Sequence, residues 1–448
     1  MIAPARRAAL RALQRVAARD LDLGAALAGT RAELRDARDR ALAAEVVQGV
    51  LRWQAQLDAG LTAVSGRPLH RLDTDILLIL RLALYQLRFL DRVPPRAVVD
   101  DAVALARMTG HTSAAGFVNA VLRAALRQPE RTAPPAPPGG TTIDEWARYL
   151  SVTGSHPEWL VRRWIARYGV DAARDWVAFD NAPAPVHLRA NPLVSARADV
   201  LAWLATHGCE GTPAARAPDG VLVRVGHPAR LNPQGAFLQQ DEGSQLVGLT
   251  VGAGPGDRVL DVCAAPGGKA LQLAAALDGR GLLVACDVRP ARLDLLRETL
   301  RTGQADVGHL VRIAPAGPLP FGPVFDRVLL DAPCSGLGTL RRDLDIRWRR
   351  EEGDLPAFAA VQRRLLADAA AAVRPGGRLV YSTCSSEPEE NDEIVSWLLA
   401  TRPDFVRLDL RREGHAALAG LVDDLGQLRT LPFRDDLEAY FAAALVRT

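Results

Sequence analysis

The sequence predicts a multidomain protein: an all-helical N-terminal bundle, a small α+β subdomain, and a C-terminal doubly wound α/β core. Three observations carry this. The chain has 448 residues, about three domains at roughly 150 residues each. Through residue 128, apolar residues recur three and four positions apart, the period of amphipathic helices. From about residue 237, short apolar runs alternate with helical stretches, as strands buried on both faces of a parallel sheet read.

The helical segment shows its period in Ala9-Leu10-Leu13-Val16, Ala43-Val46-Val47-Val50-Leu51 and Ala102-Val103-Ala106, with breaks at Gly24, Gly66-Arg67-Pro68 and Val93-Pro94-Pro95. It is expected to fill residues 1–130 as a compact bundle. The Pro-rich run from Thr132 to Gly140 holds neither helix nor central strand, so residues 131–141 read as a semi-rigid linker. Residues 142–235 mix signals. A helix starts near Ser155-His156-Pro157-Glu158, with Ser155 as its expected cap, and strands are expected at Val186–Arg189 and Val221–Val225. Residues 236–448 form the α/β core, with buried strands expected at Arg258–Val262, Leu282–Ala285, Arg327–Leu330 and Arg378–Tyr381.

Composition narrows the function classes. Apolar residues make up 48% and charged residues 24%, ordinary globular material that excludes wholesale disorder. The most apolar stretch, Ile76–Leu90, is broken by Arg81 and Arg88, so no transmembrane helix is expected. The N-terminus carries no secretion-signal pattern. Five cysteines without a C-x-x-C pair argue against a disulfide framework and a zinc site and for a reducing cytoplasm. The eight histidines are scattered without metal-ligand spacing, so no metal is expected. Charge is uneven. Residues 1–140 hold 20 arginines against 13 carboxylates, while the remainder is acidic by four. A basic segment on a mildly acidic body suits a polyanion partner, and equally a solvated helical surface. The chain has a single lysine, Lys269. Where arginine would serve, this sequence uses arginine, so a compact ammonium at 269 marks a tight site.

Each expected core strand ends in something unusual, and carboxyl ends are where open parallel sheets place ligands. The first ends Asp261-Val262-Cys263-Ala264-Ala265-Pro266-Gly267-Gly268-Lys269, a small-residue turn into a helix. It matches neither phosphate-loop pattern, so a nucleotide phosphate is not the favoured ligand. The second ends in Asp287, 19 residues after Gly268, suited either to ribose hydroxyls or to capping the next helix. Together they suggest a ligand with a ribose and a flexible tail, such as S-adenosylmethionine. The third ends Asp331-Ala332-Pro333-Cys334-Ser335-Gly336-Leu337-Gly338 and the fourth Tyr381-Ser382-Thr383-Cys384-Ser385. Cys209 and Cys286 read as small buried hydrophobes. Cysteines at the ends of two adjacent strands read as chemistry.

These motifs, 261–269, 331–338 and 381–385, resemble in order and spacing the RNA cytosine-C5 methyltransferases of the Sun/Fmu type. Gly235–Asp241 is similar to that family's lead-in to its catalytic core, and the first 130 residues resemble the NusB-type RNA-binding domain, so the resemblance spans nearly the whole chain. It implies a Rossmann-like, S-adenosylmethionine-dependent core acting on small-subunit (16S) ribosomal RNA. Residues Cys263, Ala264, Ala265, Pro266, Gly267, Gly268 and Lys269 would hold the methionyl part, Asp287 the ribose, and Asp331 would sit between cofactor and base. Cys384 would be the nucleophile and Cys334 would assist product release. The family's acidic residue on the adenine side has no counterpart in Val311–Pro315, Leu344 replaces its usual proline, and Phe433 replaces its usual histidine.

The implied chemistry makes sense of two thiols. C5 of cytosine is too weak a nucleophile for a sulfonium methyl group, and a thiolate adding to C6 makes C5 enamine-like. Cys384 should therefore sit in an electropositive setting, with Glu387, Glu389 and Glu390 opposing its ionisation. The target base must be unpaired or flipped out. Around Trp348, the arginines Arg341, Arg342 and Arg347 read as an RNA clamp with a stacking ring, or as an amphipathic surface helix. A monomer is expected, since one chain holds both a basic domain and a complete site. Competing readings are a DNA cytosine-C5 methyltransferase, disfavoured by Cys384, an RNA-binding assembly or antitermination factor with a degenerate methyltransferase body, and the same reaction on another RNA such as tRNA.

Overall fold

The structure is a computed structural model describing residues 2–228, 234–305, 308–314 and 317–448; Pro315, part of the segment lacking the acidic residue, lies outside the described residues. The chain forms two compact units, Met1–Ala182 with Leu340–Glu352, and Pro183–Thr339 with Gly353–Thr448.

The first unit is helical. Helices Pro4–Ala17, Ala37–Arg52, Thr74–Phe89 and Ala115–Arg127 bury Leu10, Leu13, Val46, Val50, Ile79, Leu80, Val118 and Leu122 in one core, as their three-and-four spacing demands. Asp36 and Asp73 cap two of these helices by accepting first-turn backbone N–H groups. The Pro-rich run does not divide compact units. Beyond it, helices Ile143–Thr153, Glu158–Tyr168 and Val170–Asn181 belong to the same unit. By compactness alone the chain parts at 182. Ser155 does not cap a helix. Its hydroxyl accepts the Ala55 N–H at 2.8 Å, binding the later helices to the earlier ones.

The second unit carries two sheets. A small antiparallel sheet is built from β1 (Val186–Ala190), β2 (Glu210–Pro213), β3 (Gly220–Val225) and β4 (Phe237–Gln239), in the order β2-β3-β1-β4. The main sheet holds β5 (Arg258–Asp261), β6 (Leu282–Asp287), β7 (His309–Arg312), β8 (Phe325–Asp331), β9 (Val373–Thr383), β10 (Phe405–Leu408), β11 (Leu428–Arg429) and β12 (Phe441–Arg447). Its order is β10-β12-β9-β8-β5-β6-β7, with β11 beside β12. Strands β5 to β9 run parallel, and β12 runs antiparallel between β9 and β10. Alternate residues enter two separate cores: Val259, Leu283, Leu329 and Val380 on one face, Leu260, Val284, Val328 and Leu379 on the other. The strand order reverses between β5 and β8, which opens a crevice at their carboxyl ends.

Candidate active site

The crevice is a cavity of about 340 Å³ lined by Leu238, Gln240, Ser244, Asp261, Lys269 and Asp331 among others, and by the turn residues Cys263, Ala264, Ala265, Pro266 and Gly268. Gly267 sits at φ 110°, a conformation that favours glycine, and starts the helix Gly268–Leu277 at the cavity wall. Arg292 braces the turn: its guanidinium donates to the Ala265 carbonyl at 2.5 Å and to the Asp287 carboxylate at 3.1 Å. Asp287 also accepts the Arg289 N–H at 3.2 Å, so part of its hydrogen-bonding capacity serves the local turn. It is buried and is not among the residues lining this cavity.

Asp261 lies at the cavity, 1% exposed, and neither of its carboxylate oxygens has a hydrogen-bond partner of good geometry. Burial, and after it the nearby Asp331 charge, push its pKa up to about 7, opposed by Lys269. A carboxylate left so asks for a cationic or donor-bearing ligand. The cavity therefore fits S-adenosylmethionine, whose sulfonium and ammonium supply positive charge and whose ribose supplies donors. The Cys263 thiol is pushed well up by burial and the surrounding carboxylates, so it lines the site without being a nucleophile. Cys209 and Cys286 are buried.

Lys269 donates to Asp331 at 2.6 Å, and the Ser382 hydroxyl donates to the other oxygen of that carboxylate at 2.7 Å. The parallel register places Ser382 beside Asp331, so strand pairing alone delivers this contact. Burial disfavours the Lys269 ammonium, but Asp331, with a further contribution from Cys384, raises its pKa overall, so it stays charged. One positive charge thus serves both the carboxylate and the thiol.

The two cysteines meet. Cys334 Sγ and Cys384 Sγ are 3.3 Å apart, both half-buried at the ends of adjacent strands. Gly338 N–H donates to the Cys384 carbonyl, and Ala439 N–H to the Gly338 carbonyl, each at 2.9 Å. A Cβ at 338 would lie 2.0 Å from the Ala439 oxygen, so glycine is required for this approach. Glu390 does not turn toward the thiols: its carboxylate accepts from Ser335, Ser385 and Gln362. The helix beyond it begins at Asp392.

The expectation for Arg347 is corrected, while Trp348 is half-buried. Arg347 is wholly buried inside the helical unit, donating to the carbonyls of Arg52 at 3.1 Å and Ser155 at 3.0 Å and to Asn181 Oδ1 at 2.9 Å. Burial lowers its pKa to about 10, against the pull of Asp180. Trp348 donates its Nε1–H to the Leu51 carbonyl at 2.7 Å. These residues serve the carboxyl ends of helices Ala37–Arg52 and Val170–Asn181, where carbonyls lack intrahelical donors and cations are favoured. Arg341 lies 4.3 Å from the Phe179 ring centre, and Arg342 is half-buried. Leu344, the departure from the family's proline, is buried in the helical core.

Sequence reasoning gave no role to Arg292, Ser382, Gln240 or Ser244, and read Glu390 only as a charge near the thiols. It also passed over Asp73, Asp75 and His111, whose ligand atoms lie within 4.8 Å of one another. There Asp73 already caps the helix Thr74–Phe89 through the Asp75 N–H. No helix among the described residues is long and apolar enough to cross a membrane.

Comparison with known proteins agrees with this architecture. Residues 249–446 match the 16S rRNA methyltransferase RsmB/F family, residues 3–127 the NusB family, and residues 156–230 the ferredoxin-like domain of RsmF/B-type methyltransferases. The ribosomal RNA small subunit methyltransferase B of Pseudomonas putida is 34% identical over 84% of this chain and 85% of its own. That of Vibrio cholerae is 33% identical over 93% and 94%. Among solved structures, PH0851 matches with a TM-score of 0.82 at 24% identity over 100% of this chain and 99% of its own. A methyltransferase homologue from Pyrococcus horikoshii matches with a TM-score of 0.59 at 25% identity, over 69% of this chain and 100% of its own. By its sequence relatives across nearly its whole length, the chain belongs to the RsmB/F family of 16S rRNA methyltransferases.

Proposed function

We propose that the protein methylates C5 of a specific cytosine in 16S rRNA through a covalent cysteine adduct. The observation that carries this is the pair of thiols 3.3 Å apart at the carboxyl ends of β8 and β9, beside a cavity lined by the buried Asp261 carboxylate, whose oxygens no hydrogen bond of good geometry satisfies. When bound, S-adenosylmethionine supplies an electrophilic methyl group for C5. The turn 263–269 and Asp261 would hold it, with Asp287 toward the ribose.

The chain's own residues do the rest. Cys384, as thiolate, adds to C6, forming the S–C6 bond and moving the ring electrons toward C5. Lys269 keeps a positive charge beside that thiol. Asp331, fixed by Lys269 and Ser382, faces the cytosine ring and orients it. After methylation the C5 proton leaves to a base and the S–C6 bond breaks, returning Cys384 as thiolate. Cys334, in contact with Cys384, assists that release. The pairing of a basic helical unit with this site suits an RNA substrate.

The test is covalent trapping. Cys384→Ala is expected to form no protein–RNA adduct and no product. Cys334→Ala is expected to form the adduct and accumulate it, seen as a slowly migrating species in denaturing gels. A Cys334→Ala enzyme that turns over freely would sink the two-thiol assignment.

A further inference from the structure

Glu390 is a buried carboxylate that the proposed chemistry does not use. It is 0% exposed and six residues beyond Cys384. One oxygen accepts the Ser335 N–H at 2.8 Å and the Gln362 amide at 2.9 Å, and the other accepts the Ser335 and Ser385 hydroxyls, each at 2.5 Å. Ser335 follows Cys334 and Ser385 follows Cys384. Gln362, itself buried, reaches past Glu390 to the Pro333 carbonyl at 3.1 Å, so the residues on both sides of Cys334 are held. The Tyr381 hydroxyl donates to the Glu390 carbonyl at 2.6 Å, and Asn391 bonds Thr383 Oγ1 at 2.5 Å and the Ser385 carbonyl at 2.8 Å, which fixes the backbone that carries the carboxylate.

We propose that Glu390 is a positioning residue that joins the Cys334 and Cys384 loops and sets the separation and direction of the two thiols. The matching is chemical as well as spatial. A carboxylate offers four lone-pair sites and no donor, and four donors from two loops and one helix converge on it. A neutral apolar residue here would leave the Ser335 N–H without this acceptor and the Gln362 amide with the Pro333 carbonyl alone. The Ser335 and Ser385 hydroxyls also meet at 3.2 Å and Gly338 N–H reaches the Cys384 carbonyl, but the Glu390 carboxylate gathers donors from both loops and the helix at one point. Glu390 touches neither sulfur's expected substrate, so it acts through the cysteines. The proposal rests on the two-thiol reading above for its consequence in turnover, but the geometry it asserts is measurable without RNA.

The experiment uses the full chain and reads the thiol spacing by oxidation. Diamide takes two electrons and two protons from two thiols, leaving a disulfide and its hydrazine. The wild type is expected to form an internal Cys334–Cys384 bridge rapidly, read by mass spectrometry after alkylation. Glu390→Ala is expected to bridge about a hundredfold more slowly, as a displacement of about 1 Å costs a geometry-dependent step. Glu390→Gln, which keeps the volume and one acceptor oxygen, is expected to fall between the two, and it alone is read if Glu390→Ala does not fold. S-adenosylmethionine affinity is expected to stay within about threefold of wild type in both, while methyl transfer falls in parallel with bridging, in kcat and not in KM for RNA. Bridging at the wild-type rate in every folded Glu390 variant would overturn the proposal. If wild type and variants differ in bridging but no protein–RNA adduct ever forms, the positioning role stands and the covalent reading falls.

Discussion

Replacing Arg347 with methionine separates a structural arginine from one that binds RNA. Methionine keeps most of the volume but offers no donor. The carbonyls of Arg52 and Ser155 and the Asn181 side-chain oxygen then lose donors at 2.9 to 3.1 Å in a place with no solvent access. Each buried acceptor left unpaired costs about 1–3 kcal/mol, but they share one site and relax together, so the expected loss is about 3–5 kcal/mol, the range for breaking a buried charged contact. In a unit of this size 1 kcal/mol moves the melting temperature by roughly 2–4 °C, which gives a drop of at least about 6 °C in the transition that reports the helical unit. The assay is thermal denaturation followed by circular dichroism, with RNA affinity measured on the folded protein well below the transition. The expected result is a large fall in Tm with RNA affinity within about threefold of wild type. A Tm shift under about 2 °C together with a clear loss of RNA affinity would refute the reasoning and restore Arg347 to the RNA surface.

Other outcomes follow from the same geometry. Asp261 titrates near 7, so below that pH it is neutral and above it anionic; if only the ionised form binds the cationic cofactor, affinity for S-adenosylmethionine rises about tenfold from pH 6 to pH 8, and Asp261→Asn flattens the profile in calorimetry. Gly338→Ala forces a Cβ against the Ala439 oxygen and is expected to cost about 1–3 kcal/mol and to lower methyl transfer, read by denaturation and turnover together. Lys269→Met removes a cation that serves both Asp331 and Cys384; the expected result is a fall of about a hundredfold or more in adduct formation with the fold retained, and an unchanged adduct rate would contradict that role.

The parts legible in the sequence are those whose meaning is local. A strand that ends in a small-residue turn, and cysteines that follow strands, carry their signal within nine residues. The β5, β6, β8 and β9 strands read correctly because parallel strands buried on both faces are apolar runs. β12 escaped because Phe441-Ala-Ala-Ala-Leu445 is alanine-rich and has no alternation, and its place between β9 and β10 is fixed by tertiary pairing. Arg347 misled because an arginine-rich stretch around a tryptophan reads as a charged surface. Its partners are backbone carbonyls up to 295 residues away, which no residue type announces. Glu390 read as a charge opposing the thiolate because its acceptors' partners, Ser335 and Gln362, lie 55 and 28 residues distant. The Pro-rich run speaks only for its own conformation, and where compact units part depends on what the helices after it pack against.

The most direct measurement is methyl transfer from labelled S-adenosylmethionine to protein-free 16S rRNA, followed by bisulfite mapping, with Cys384→Ala assayed alongside. The expected result is one discrete 5-methylcytosine made by the wild type and none by the variant. Methylation at any other atom, or product formed equally by Cys384→Ala, would contradict the covalent C5 mechanism.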